Sequence, residues 1–153
     1  MKDIIEKSLE KFNKFDPSRI VGELYSYKDI EIIGSNGTIL SGAINDVLDK
    51  TGTGYYQFLP CFISIIKPKQ IVELGGAMGV GSLCMLHSEH KDFKLYSVTL
   101  VEDGLEFCYL NKERYPNFIP VIGDDLDLEN WPKDLDLGKT YVWFFDSLDE
   151  PEQ

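Results

Sequence analysis

Apolar residues recur at helical spacing in the first part of the chain and gather into short unbroken runs further on. Over 1–15, Ile4, Ile5, Leu9 and Phe12 fall among alternating Lys and Glu, which predicts one amphipathic helix. Asp16-Pro17-Ser18 ends it or starts a new turn. Tyr27, Ile30, Ile32 and Ile33 then precede Gly34-Ser35-Asn36-Gly37, whose Asn-Gly pair is a turn signal. With Thr38-Ile39-Leu40 beyond it, this stretch predicts a short hairpin or a single loop strand. A helix is expected over 43–49, stopped by Thr51-Gly52-Thr53-Gly54. Residues 55–66 are apolar on almost every side and predict a helix reaching Lys67-Pro68, with Pro60 inside it as a kink or a boundary.

From residue 70 the pattern changes to strand and helix in alternation. Ile71, Val72 and Leu74 form a short buried strand with Glu73 at its carboxyl end. Four glycines and an alanine follow within seven residues, and from Val80 onward Leu83, Met85 and Leu86 suit a helix packed on a sheet. A second strand is expected over 94–99. A helix follows over 104–115, with Leu105, Phe107, Cys108 and Leu110 facing inward. A third strand is expected over 117–122, a helical turn near 126–131, and a fourth strand over 140–146. Such alternation predicts an α/β fold with a parallel, doubly wound sheet, in which ligands bind beyond the carboxyl ends of the strands.

Charge and cysteines narrow the function. The net charge is −11, and the acids gather late: residues 102–153 hold 14 acids against 4 basic residues, whereas 1–101 hold 12 against 11. A surface of this sign repels phosphate backbones, so no nucleic acid is expected as a partner. No apolar run approaches a membrane span and the amino terminus has no signal-peptide pattern, so no membrane contact is expected and a cytoplasmic location is. Cys61, Cys84 and Cys108 lack metal-ligand spacing and are odd in number, which predicts buried reduced thiols. His87 and His90 read as surface or helix-end histidines without a role.

The chemistry concentrates at the strand ends. Glycine removes the Cβ that holds ligands away from the backbone, and the turn after the first strand leads into a helix start with free N–H groups. The dinucleotide pattern Gly-x-Gly-x-x-Gly is absent, because Cys84 stands where a third glycine belongs after Gly79 and Gly81. What is present is Glu73-x-Gly75-x-x-x-Gly79, continued by Gly81-Ser82, and an acid in or near each later strand end: Glu102, Asp124 and Asp125, and Asp146.

This set resembles motif I and the following strand ends of the class I S-adenosylmethionine-dependent methyltransferases, over residues 70–149. The resemblance implies a Rossmann-like, mostly parallel sheet of strand order 3-2-1-4, with residues 70–153 as the cofactor-binding half domain. Residues 1–69 would be a helical and hairpin extension packed on it. Carried over one position at a time, Gly75, Gly76 and Ala77 would line the methionine part of S-adenosyl-L-methionine, with Gly79 and Ser82 completing the turn. Glu73 would stand near the cofactor's amino group or order the loop. Thr99 stands where an acid normally takes the ribose hydroxyls, so Glu102 is expected to reach in. Asp124 and Asp125 match the adenine loop, and Asp146 the acid beside the methyl donor.

The cofactor's ammonium, ribose hydroxyls and adenine amino group are all donors, which suits a site of carboxylates. The helix before the first strand can contribute to such a pocket, which brings in Tyr55 and Gln57 beside their role in packing. Asp146 and Asp149 make half of a metal site of the kind some relatives use; without a third ligand, no metal is assigned. A small-molecule methyl acceptor is the expected partner. Chains of this family continue past a fourth strand, so a fragment is expected that binds cofactor weakly and turns over nothing, with a homo-oligomer forming through the bare fourth strand. The competing readings are an NAD-dependent oxidoreductase and a non-catalytic interaction module with a degenerate pocket.

Overall fold

The computed structural model describes residues 1–29, 38–50, 55–75, 79–99, 113–124, 127–139 and 142–145. The chain divides into two compact units, Met1–Lys67 with Leu83–Lys91, and Pro68–Ser82 with Asp92–Gln153.

The first unit is helical. Helix α1 (Lys2–Asn13) is the expected amphipathic helix, and α4 (Tyr55–Ile66) packs against it. Phe12 meets Phe58 edge-on at 6.2 Å between ring centroids. Pro60 sits inside α4 without ending it. The helix stops at Lys67, whose φ of +49° and N–H bond to the Ile63 carbonyl (2.9 Å) form a left-handed cap ahead of Pro68.

Two expectations change here. Ser18–Ser26 is a helix, α2, so Asp16-Pro17-Ser18 begins an element rather than merely closing one. The Asp16 carboxylate accepts the Ser18 N–H and hydroxyl, both at 2.9 Å, and these bonds hold its carboxyl below the usual range. Ile20, Leu24 and Tyr27, at helical spacing, are its buried face. The predicted hairpin is not formed either: Thr38-Ile39-Leu40 opens helix α3 (Thr38–Leu48), which packs on α2 and α4 and buries Leu40, Ala43 and Val47. The other arm of that hairpin, with the Asn36-Gly37 turn, lies outside the described residues.

The second unit is an α/β sheet. Strands β1 (Gln70–Leu74), β2 (Lys94–Thr99) and β3 (Phe118–Ile122) run parallel side by side, and β4 (Val142–Phe145) pairs with the other edge of β1, in the order β3-β2-β1-β4. All five residues of β1 are buried, as a central parallel strand requires. Helix α5 (Val80–Leu86) follows β1. One face of the sheet packs Val72, Leu74, Tyr96, Val98 and Val121 against Trp131, with Ile119 and Leu135 at the margin. Trp131 follows the short 3-10 turn Leu128–Asn130, which Asp127 starts by accepting the Glu129 N–H (3.2 Å) and the Asn130 amide (2.6 Å). At the amino-terminal edge, Asp134 accepts the Tyr96 hydroxyl and the Lys94 ammonium, each at 3.1 Å. Burial, with Asp134 adding to it, pushes the Tyr96 phenol up to about 12. The expected helix over 104–115 lies outside the described residues as far as 112, and 113–114 form a turn. No helix among the described residues is long and apolar enough to cross a membrane.

Candidate functional site

The register fixes where the strand ends meet. Leu74 pairs with Val98 and with Phe145, and Thr99 pairs with Ile122, so four parallel strands finish level along one edge. Two backbone bonds tie these tips together: Gly75 N–H donates to Val98 O, and Gly123 N–H to Thr99 O, both at 2.9 Å.

Glu73 is the ionisable group at the centre of this edge and has no solvent exposure. Side chains alternate across a strand, so Glu73 lies on the sheet face opposite Val72 and Leu74, together with Ser97, its register partner on β2. Oε2 of Glu73 accepts the Ser97 hydroxyl at 2.5 Å and also the hydroxyl of Ser82, from the first turn of α5. The two serine oxygens stand 3.2 Å apart. A buried carboxylate is tolerable only when its oxygens are hydrogen bonded, and charged acceptors make the stronger bonds. The consequence is local: one carboxylate oxygen joins β1, β2 and the start of α5, the two ends of the glycine turn among them.

The turn itself needs its glycines. Gly75 has φ +78° and Gly79 has φ +77°, conformations that add strain to any residue carrying a Cβ. Gly76 and Ala77, between them, lie outside the described residues. Thr99 is buried at 7% exposure, whereas Asp124 is exposed in the turn beyond β3, its carbonyl accepting the Asp127 N–H at 3.0 Å. Glu102, Asp125 and Asp146 lie outside the described residues, as do Cys108 and Asp149. The sheet therefore brings Glu73, Gly75, Gly79, Ser82 and Thr99 to one neighbourhood at the β1 and β2 tips, with Asp124 at the next tip. No group of His, Cys, Asp and Glu among the described residues is arranged to hold a metal ion.

In the helical unit Gln57 is buried and donates to Val47 O at 2.7 Å, and Tyr55 lies against Tyr56 at 4.3 Å between centroids. Cys61 and Cys84 are buried, as expected; burial pushes the Cys61 thiol up to about 11. The reading of His87 as a surface residue is corrected. It closes α5, but its side chain is 8% exposed, and Nε2 lies 2.6 Å from Oε2 of Glu23, a carboxylate that also accepts the Tyr27 hydroxyl at 3.1 Å. Glu23 and His87 are 64 residues apart, and no local pattern announces the pair. The one clue was Glu23 itself, an acid on the same helical face as Ile20 and Tyr27.

No family model matches the chain, and no curated protein matches it.

Proposed function

We propose that the chain is the cofactor-binding part of a class I S-adenosylmethionine-dependent methyltransferase with a small-molecule acceptor. The observation that carries this reading is the Gly75–Gly79 turn: two left-handed glycines at the level edge of a parallel sheet, with the buried Glu73 that precedes them bonded to Ser82 that follows them and to Ser97 on β2.

The residues fit the cofactor as follows. A turn without Cβ atoms at Gly75 and Gly79 lets a ligand lie against the peptide backbone. Glu73 is fully buried, so its part is to hold Ser82 and Ser97 and thereby the ends of the turn, the second of the two roles the resemblance implies. Thr99 offers a hydroxyl at the β2 tip where members of that family offer a carboxylate. Asp124, exposed at the β3 tip, supplies an acceptor for an amino group. The bound group would supply an activated methyl on a cationic sulfur, and the chain's own contribution is positioning, which accounts for much of the rate in such displacements.

Calorimetry with S-adenosylhomocysteine and with NAD tests the proposal. Saturable binding of S-adenosylhomocysteine, abolished by Gly75→Val, is the expected result. Binding of NAD alone, or of neither, overturns it.

A further inference from the structure

The helical unit contains a cavity of about 480 Å³ whose walls share no residue with the strand ends. That volume falls within the roughly 300–1,000 Å³ of small-molecule sites. His87 lines the cavity, held by Glu23, which is in turn bonded to Tyr27. Ser64 lines it too, with its hydroxyl engaged by Pro60 O at 2.7 Å and the Glu89 N–H at 3.0 Å. Cys61, raised to about 11, remains a thiol at neutral pH and serves as wall rather than nucleophile.

The outer wall is charged with both signs. Lysines 7, 11 and 14 project from α1 at i, i+4 and i+7, and Glu10, Asp16 and Glu89 oppose them. Most of these charges are already engaged within the protein. Lys7 pairs with Asp3 at 2.9 Å, Lys11 with Glu89 at 2.7 Å, and Asp16 accepts the Ser18 N–H and hydroxyl. Lys14 and Glu10 remain, with no ion pair among the described residues, although they stand one helical turn apart at the spacing that favours a Glu–Lys bridge. Lys14 and Glu10 therefore present one cation and one anion close together, and a molecule carrying both charges a few bonds apart complements both.

We propose that this cavity binds a small zwitterion of the α-amino-acid type, with its carboxylate toward Lys14, its ammonium toward Glu10, and its side chain over Pro60, Cys61 and Ile65. The site is independent of the methyltransferase reading, because its residues all belong to the helical unit.

The test uses the full chain at pH 7, screened by thermal shift and then calorimetry against each common L-amino acid. Acetate and methylamine serve as half-ligands. At least one amino acid binds saturably, and each half-ligand binds at least about tenfold more weakly, as expected when one charge-assisted contact is missing. Lys14→Ala and Glu10→Gln each weaken that amino acid by about tenfold or more. Both positions are exposed, so both variants keep the parent's helical circular dichroism and urea midpoint. Failure of every amino acid to bind overturns the proposal. So does binding that only one of the two substitutions weakens, or acetate binding as tightly as the amino acid.

Discussion

Replacing Ser97 by alanine removes one of the two hydroxyl donors that the structure gives to Oε2 of the fully buried Glu73. A hydrogen bond to a charged group contributes about 1.5–3 kcal/mol, so Ser97→Ala should destabilise the sheet unit by about 2 kcal/mol. For a chain of this size that lowers the melting temperature by roughly 4–8 °C. Ser82→Ala should cost about the same, because its hydroxyl meets the same oxygen. The double variant is the sharper test. With both donors gone the carboxylate loses its second hydroxyl as well, so the loss should exceed the sum of the single losses by about 0.5–3 kcal/mol. Urea unfolding followed by tryptophan fluorescence is suited to the measurement, since Trp131 and Trp143 both belong to the sheet unit. A loss below about 0.5 kcal/mol for Ser97→Ala, or strict additivity in the cycle, refutes the reasoning.

Other expectations follow from the same geometry. Gly79→Ala should destabilise by about 1–2 kcal/mol through its positive φ, read by urea titration, while Ala substitution at Gly22, a helical position with open space around it, should not. Removing the His87 hydrogen bond to the buried Glu23, as in His87→Ala, should cost about 1.5–3 kcal/mol, and Tyr27→Phe a smaller loss of about 1 kcal/mol; circular dichroism melts compare the two. The Tyr96 phenol is held protonated to about 12 in the folded chain against an ordinary value of 10.0. Between these values the unfolded state binds fewer protons, so stability falls as pH rises through that window. Tyr96→Phe should flatten the fall in urea midpoint.

What was legible in the sequence follows from whether a signal is local. The stretches of β1 and β2 were readable because a parallel strand covered on both faces must be apolar along its length, as Ile71-Val72 and Leu95-Tyr96 are. Glycines at 75 and 79 were readable because no other residue adopts their backbone easily. Helix α2 was missed because Asp-Pro-Ser suggests a stop, although Asp followed by Pro also suits a helix start, and Ile20, Leu24 and Tyr27 carried the period. Asn36-Gly37 favoured a hairpin, and the helical packing of Leu40, Ala43 and Val47 prevailed over the strand-like look of Thr38-Ile39-Leu40. The partners of Glu73 and His87 were not legible: a buried acid or imidazole is satisfied by side chains that only the fold brings near.

The pairing of β1 with β4 has a consequence for synthesis on the ribosome. Leu74 finds its neighbour Phe145 only after 71 further residues have been added. At about 5–20 residues per second, that delay is roughly 4–14 s. Throughout it, one flank of the emerging apolar strand has none of its final backbone bonds, a template for aggregation between nascent chains. A holding chaperone that recognises extended apolar peptide is the physical remedy for such an interval, and slowing translation beyond codon 74 should lower the soluble yield.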